Sequence, residues 1–113
     1  MKKIILGVFT LCLFTTLAFA SQAFAQGKPT VLYIYGQYCG ACKRFEPTFD
    51  SMSSKYSNKF TFEKEDYDSS RRARELHVTE TPSVYILDNG KVQRIDWPCL
   101  SNTGCFEQRL KQY

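Results

Sequence analysis

The sequence predicts a small α/β sandwich: a four-stranded mixed sheet flanked by helices, in the order β-α-β-α-β-β-α. Three observations predict it. The run "TVLYIY", Thr30 to Tyr35, is β-branched, aromatic and nearly continuous, the composition of a strand buried on both faces. Phe45, Phe49, Met52 and Tyr56 then recur on one helical face, as core packing requires. Further on, "SVYIL" and "KVQRI" flank "DNG", the turn chemistry of a hairpin.

The remaining elements follow in order. Residues 1–25 read as a secretory signal peptide. Lys2 and Lys3 precede an apolar run from Ile4 to Ala20, and Ala23 and Ala25 form an A-x-A cleavage pattern. A cut after Ala20 is the alternative, and an uncleaved membrane anchor is the competing reading of the run. Residues 26–113 form the domain. After the first strand a helix is expected from about Gly40. "KFTFEKEDYD", Lys59 to Asp68, begins as the second strand, and "SSRRARELH" follows as a helix capped by Asp68 or Ser69. A helical crossover makes the first two strands parallel. "CFEQRLKQY" closes the chain as an amphipathic helix with Phe106 and Leu110 inward.

Charge narrows the function. The formal net charge is +4, and Lys2 and Lys3 leave with the leader, so the domain keeps about half of it. That is too mild for nucleic acid. The Arg71, Arg72 and Arg74 cluster reads as a solvated helix face.

Cysteine says more. Of five cysteines, Cys12 falls in the leader. Cys39, Cys42, Cys99 and Cys105 remain, an even count that reads as disulfides in a small exported domain. Cys39 and Cys42 fall where the first strand hands over to a helix. Unsatisfied backbone N–H groups and the positive end of the helix dipole favour a thiolate there. The thiolate is the nucleophile of disulfide exchange. Cys39, ahead of the helix, is assigned the attack. Cys42, one turn further in, is assigned the resolution of the mixed disulfide.

A metal site is the weaker reading. Cys99 and Cys105 are spaced loosely for a zinc knuckle, and His77 is the only histidine, so no multi-histidine site can form. Pro82, just ahead of "SVYIL", fits either a cis bond or a trans proline at a strand start.

The motif "YCGACK", with Pro47 five residues beyond Cys42 and "HVTETPSVYILDNGKV" further on, resembles the thioredoxin family over about Val31 to Ile95. Tyr38 stands where the family has tryptophan, and Ala41 where it has proline. The resemblance implies a minimal thioredoxin fold. It also implies a cis Thr81–Pro82 bond beside the cysteines, whose backbone pairs with an incoming substrate chain. Thr81, Pro82, Tyr38 and Trp97 are the expected substrate contacts, though Trp97 reads equally as core. One departure stands out: Tyr33 occupies the place of a buried, proton-relaying aspartate, and Lys64 falls near that aspartate's lysine partner.

"WPCLSNTGC" has no counterpart in ordinary thioredoxins. Cys99–Cys105 is expected to be a structural bridge pinning this loop to the last helix, with a second redox pair as the alternative. The whole then reads as a monomeric, periplasmic or secreted thiol–disulfide oxidoreductase that needs no cofactor. Its partners are protein thiols or disulfides and a membrane-bound protein that resets it. The reading favours a reductant. A disulfide-forming oxidant and a non-catalytic binding or assembly module are the alternatives.

Overall fold

A computed structural model describes residues 27–113. The predicted leader and its cleavage sites lie outside the described residues. Strand β1 (Thr30–Tyr35) is followed by helix α1 (Gly40–Lys55), strand β2 (Thr61–Asp66) and the short helix α2 (Arg71–Glu75). Strands β3 (Ser83–Asp88) and β4 (Lys91–Ile95) form the hairpin, and helices α3 (Trp97–Leu100) and α4 (Thr103–Gln112) end the chain. The sheet order is β2-β1-β3-β4. β1 runs parallel to β2 and antiparallel to β3, with Tyr33 opposite Lys64 on one side and Val84 on the other.

The near-continuous apolar character of β1 has its reason in this order. Val31, Leu32, Tyr33 and Ile34 are all fully buried because β1 is central and both its faces are covered. Val31 and Tyr33 join Val84, Ile86 and Ile95 in a core shared with α1 and α4. Leu32 and Ile34 face the other way, with Tyr85, Ala73 and Val78.

Helix α1 buries Cys42, Phe45, Phe49 and Met52. The Phe45 ring stands edge-on to Tyr33, with centroids 5.1 Å apart, and lies 5.3 Å from Phe106 of α4. Polar contacts tie the end of α1 and the segment after it to α4. The Tyr56 hydroxyl donates to Glu107 at 2.6 Å, and Lys59 donates to the Leu110 carbonyl at 2.8 Å, covering the C-terminal end of α4.

Four local expectations shift. The cap of α2 is Ser70, not Asp68 or Ser69, because the Asp66 carbonyl accepts from both the Ser69 and Ser70 N–H groups and holds those residues in a turn. The predicted solvated arginine face is broken by Arg72, which pairs with Glu63 and Glu65 of β2. The closing helix begins at Thr103, two residues early, since the Asn102 side chain accepts from the Cys105 N–H at 3.1 Å. Ahead of it α3 adds a helical turn absent from the predicted order, started by Pro98 in its first turn. The hairpin is as read: Asn89 and Gly90 both have positive φ, 50° and 86°, as a tight turn between twisted strands demands.

Because α2 is short, its cap matters. Ser70 Oγ accepts from the Ala73 N–H at 2.9 Å and donates to Glu65 at 2.5 Å, and Ser70 is buried. Ser70→Ala is expected to lower stability by about 1–2 kcal/mol in urea unfolding. The Arg72 guanidinium, and then the Ser70 hydroxyl, hold the Glu65 carboxyl below its ordinary 4.5 against the effect of burial. A lowered folded-state value means stability present above the ordinary range and lost as pH falls through the lowered one. The urea midpoint should therefore drop on acidification below about pH 4.5, and Glu65→Gln should blunt that drop. An equally steep acid limb in Glu65→Gln would refute the assignment.

Candidate redox site

Cys39 and Cys42 are joined, with Cα atoms 5.2 Å apart. Cys39 is itself the N-cap of α1, with extended backbone, and its sulfur accepts from the Cys42 N–H at 3.0 Å. No acidic residue sits in the first turn to oppose a thiolate. Cys39 is half-buried, whereas Cys42 is only 3% exposed. The outer sulfur thus has both access and a backbone donor, and the inner one is shielded.

The end of β1 brings the second segment in. A Cβ at Gly36 would stand 2.9 Å from Thr81 Oγ1 and 3.4 Å from the Cβ of Cys39. This close approach needs glycine, and it seats Thr81 against the cysteine pair. The Thr81–Pro82 bond is cis, as the resemblance implied. Tyr38, next to Cys39, is 98% exposed. Trp97 is 37% exposed on α3 and so is not a core residue. Among the described residues, no hydrogen bond or ring contact ties Tyr38 or Trp97 to the sulfurs.

Cys99 and Cys105 form the second bond, linking α3 to α4. Cys99 lies in the same core cluster as Cys42, and Cys105 packs against it. The neighbouring Phe106 is fully buried against Phe45. Among the described residues, no cluster of three or more His, Cys, Asp or Glu side chains converges to hold a metal ion.

Beneath Cys42 lies a polar group that the motif did not announce. The Tyr33 hydroxyl donates to the Cys42 carbonyl at 3.2 Å. Lys64 of β2 pairs with Glu46 and, at 2.8 Å, with Asp50, both on α1. Burial by itself would lower Lys64, but its hydrogen bonds to Asp50 and Glu46 outweigh that and hold it above its ordinary value. Burial first, and then the Glu46 carboxylate, push the Tyr33 phenol well above its usual range. Glu46 and Asp50 were legible in principle, since they follow Cys42 at i+4 and i+8 and so share its edge of the helix. Gly36 carried a weaker signal, as a glycine closing a buried strand.

A family profile described as Thioredoxin matches residues 11–103. The thioredoxin of Borreliella burgdorferi is 35% identical over 66 residues, covering 58% of this chain and 56% of that protein. The bifunctional thioredoxin reductase/thioredoxin of Mycobacterium leprae is 29% identical over 83 residues, covering 72% of this chain but 18% of that protein. Among solved structures, mitochondrial thioredoxin 3 of Saccharomyces cerevisiae, in its oxidized form, superposes with a TM-score of 0.66 at 27% identity, covering 78% of this chain and 81% of that one.

Proposed function

The chain belongs to the thioredoxin family, and from that premise we propose that it is an exported thiol–disulfide oxidoreductase that reduces protein disulfides. The observation that carries the reading is the placement of Cys39. Its sulfur lies at the head of a long helix, with a backbone N–H directed at it and Cys42 buried behind it.

The chemistry follows from that placement. The Cys39 thiolate attacks one sulfur of a substrate disulfide, and the other substrate sulfur leaves as a thiolate. The Cys42 thiolate then attacks Cys39 and releases the second substrate sulfur. Two electrons pass to the substrate and the Cys39–Cys42 bond re-forms. Tyr38 offers an exposed aromatic face to the substrate chain, Thr81 and Pro82 offer backbone for it to lie along, and Trp97 flanks it from α3. A membrane-bound donor resets the pair. Export is supported by the leader-like pattern of residues 1–25 and by the pairing of all four cysteines beyond it. Cys99–Cys105 is assigned a structural role, holding α3 against α4.

The deciding measurement is the reduction potential of Cys39–Cys42, with Cys99 and Cys105 intact and with both replaced by alanine. A value near about −270 mV supports reduction, and one near about −120 mV supports oxidation instead. Loss of the second bond is expected to cost about 2 kcal/mol of stability while moving the potential by less than about 30 mV, a tenfold change in equilibrium. A larger movement would make Cys99–Cys105 part of the redox circuit. The absence of any redox couple, together with no insulin reduction, would leave a binding module in place of an enzyme.

A further inference from the structure

Resolution of the mixed disulfide requires Cys42 to lose a proton, and Cys42 is only 3% exposed. Burial in apolar surroundings works against that step, because it disfavours the thiolate. The groups within reach are few. Tyr33 of β1 is fully buried in the same cluster as Cys42, with its ring against Phe45 and Phe49. Its hydroxyl donates to the Cys42 carbonyl at 3.2 Å, and Glu46, one helical turn beyond Cys42, is paired with Lys64, the residue opposite Tyr33 on the neighbouring strand. Lys64 holds Glu46 from the outer side. Glu46 is 40% exposed, so this line of groups runs from the buried cysteine to water.

We propose that Tyr33 and Glu46 form the route by which Cys42 gives up its proton. This rests on the oxidoreductase reading above. Opening of the disulfide frees Cys42 Sγ to turn about its Cα–Cβ bond inside the cluster that holds Tyr33. The thiol proton passes to Tyr33 Oη while the phenolic proton passes to the Glu46 carboxylate. The Cys42 sulfur then donates its electron pair to Cys39, the Cys39–substrate bond breaks, and the substrate sulfur leaves as a thiolate. Glu46 releases the proton to solvent, from which the substrate thiolate is protonated. Tyr33 starts and ends neutral.

The surroundings suit a conduit more than a base. Burial first, and then the charges of Glu46 and Asp50 on α1 with Tyr35 on β1, keep the Tyr33 phenol protonated. Lys64 from β2 pairs with both carboxylates and so offsets their charge. A tyrosine that does not ionise can still pass a proton if one arrives as the other leaves. Glu46 supplies the acceptor that makes this possible.

The test uses the full-length chain carrying Cys12→Ser, reduced at Cys39–Cys42 with Cys99–Cys105 still joined, and 5,5′-dithiobis(2-nitrobenzoate), whose first thiolate release reports attack by Cys39 and whose second reports resolution by Cys42. Both phases are followed by stopped flow between about pH 5 and pH 9. Tyr33→Phe and Glu46→Gln should each leave the first phase unchanged. Each should slow the second by at least about tenfold and shift its profile to higher pH. The double variant should be no slower than either single one, because both act on one path. Asp50→Asn removes the other partner of Lys64 and should leave the second phase within about twofold.

An unchanged second phase in either variant, multiplied effects in the double variant, or equal slowing of both phases would overturn the relay. A wild-type chain that gives no second release at all would overturn the oxidoreductase reading on which the relay rests.

Discussion

Cys39→Ser is expected to reduce insulin disulfides no faster than the uncatalysed background, while Cys42→Ser accumulates a stable mixed disulfide with the substrate. The asymmetry comes from position. Cys39 caps α1 and is half-buried, so its sulfur is reachable and its thiolate receives the Cys42 N–H. A serine hydroxyl in its place is not ionised near neutral pH and cannot replace a thiolate nucleophile. Cys42, 3% exposed, is shielded from a substrate and can meet only the sulfur of Cys39. Its replacement therefore stops the cycle after the first exchange. Mass spectrometry of the trapped adduct checks this, and an adduct carried by Cys42 in the Cys39→Ser variant would reverse the two roles.

Phe106→Ala should be the most damaging substitution for stability, at about 3–5 kcal/mol. Phe106 is fully buried, packs at a tilt with its ring centre 5.3 Å from that of Phe45 and follows Cys105 directly, so it joins α4 to α1 and to the second disulfide. A domain of this size has about 5–15 kcal/mol in total, so the variant should be close to unfolding at ambient temperature. Urea unfolding with the disulfides intact measures it. A loss below about 1 kcal/mol would mean that α4 contributes little to the core beneath the cysteines.

Most of the framework was legible in short windows of sequence. "TVLYIY" announced a doubly covered strand, and all four of its inner residues are fully buried. "DNG" announced the hairpin, because two successive positive φ values suit Asn and Gly and few other pairs. The stripe of Phe45, Phe49 and Met52 announced the buried face of α1. Such signals are local: a turn, a cap or a period is written within a few residues of itself. The errors were local too. Asp68, Ser69 and Ser70 can all cap a helix, and the choice of Ser70 came from the turn held by Asp66. The extra turn of α3 needed no periodicity, only a proline free to start a helix after a strand.

The site divides along the same line. That Cys39 and Cys42 would stand at the head of a helix followed from a buried strand running into an amphipathic stretch. The resemblance also marked Tyr33 as standing where the family has an aspartate, but not what surrounds Tyr33 in its place. Tyr33, Glu46 and Lys64 come from β1, α1 and β2, and Gly36 meets Thr81 across 45 positions. Cys99 enters the cluster of Cys42 only because α3 and α4 fold back over α1. By itself, then, the sequence determined the order of elements apart from α3, and the place of Cys39 and Cys42 at the head of a helix. The tertiary structure alone decided which charges, hydroxyls and glycines surround those sulfurs, since these are chosen by the packing of helices on a sheet and leave no period or spacing along the chain.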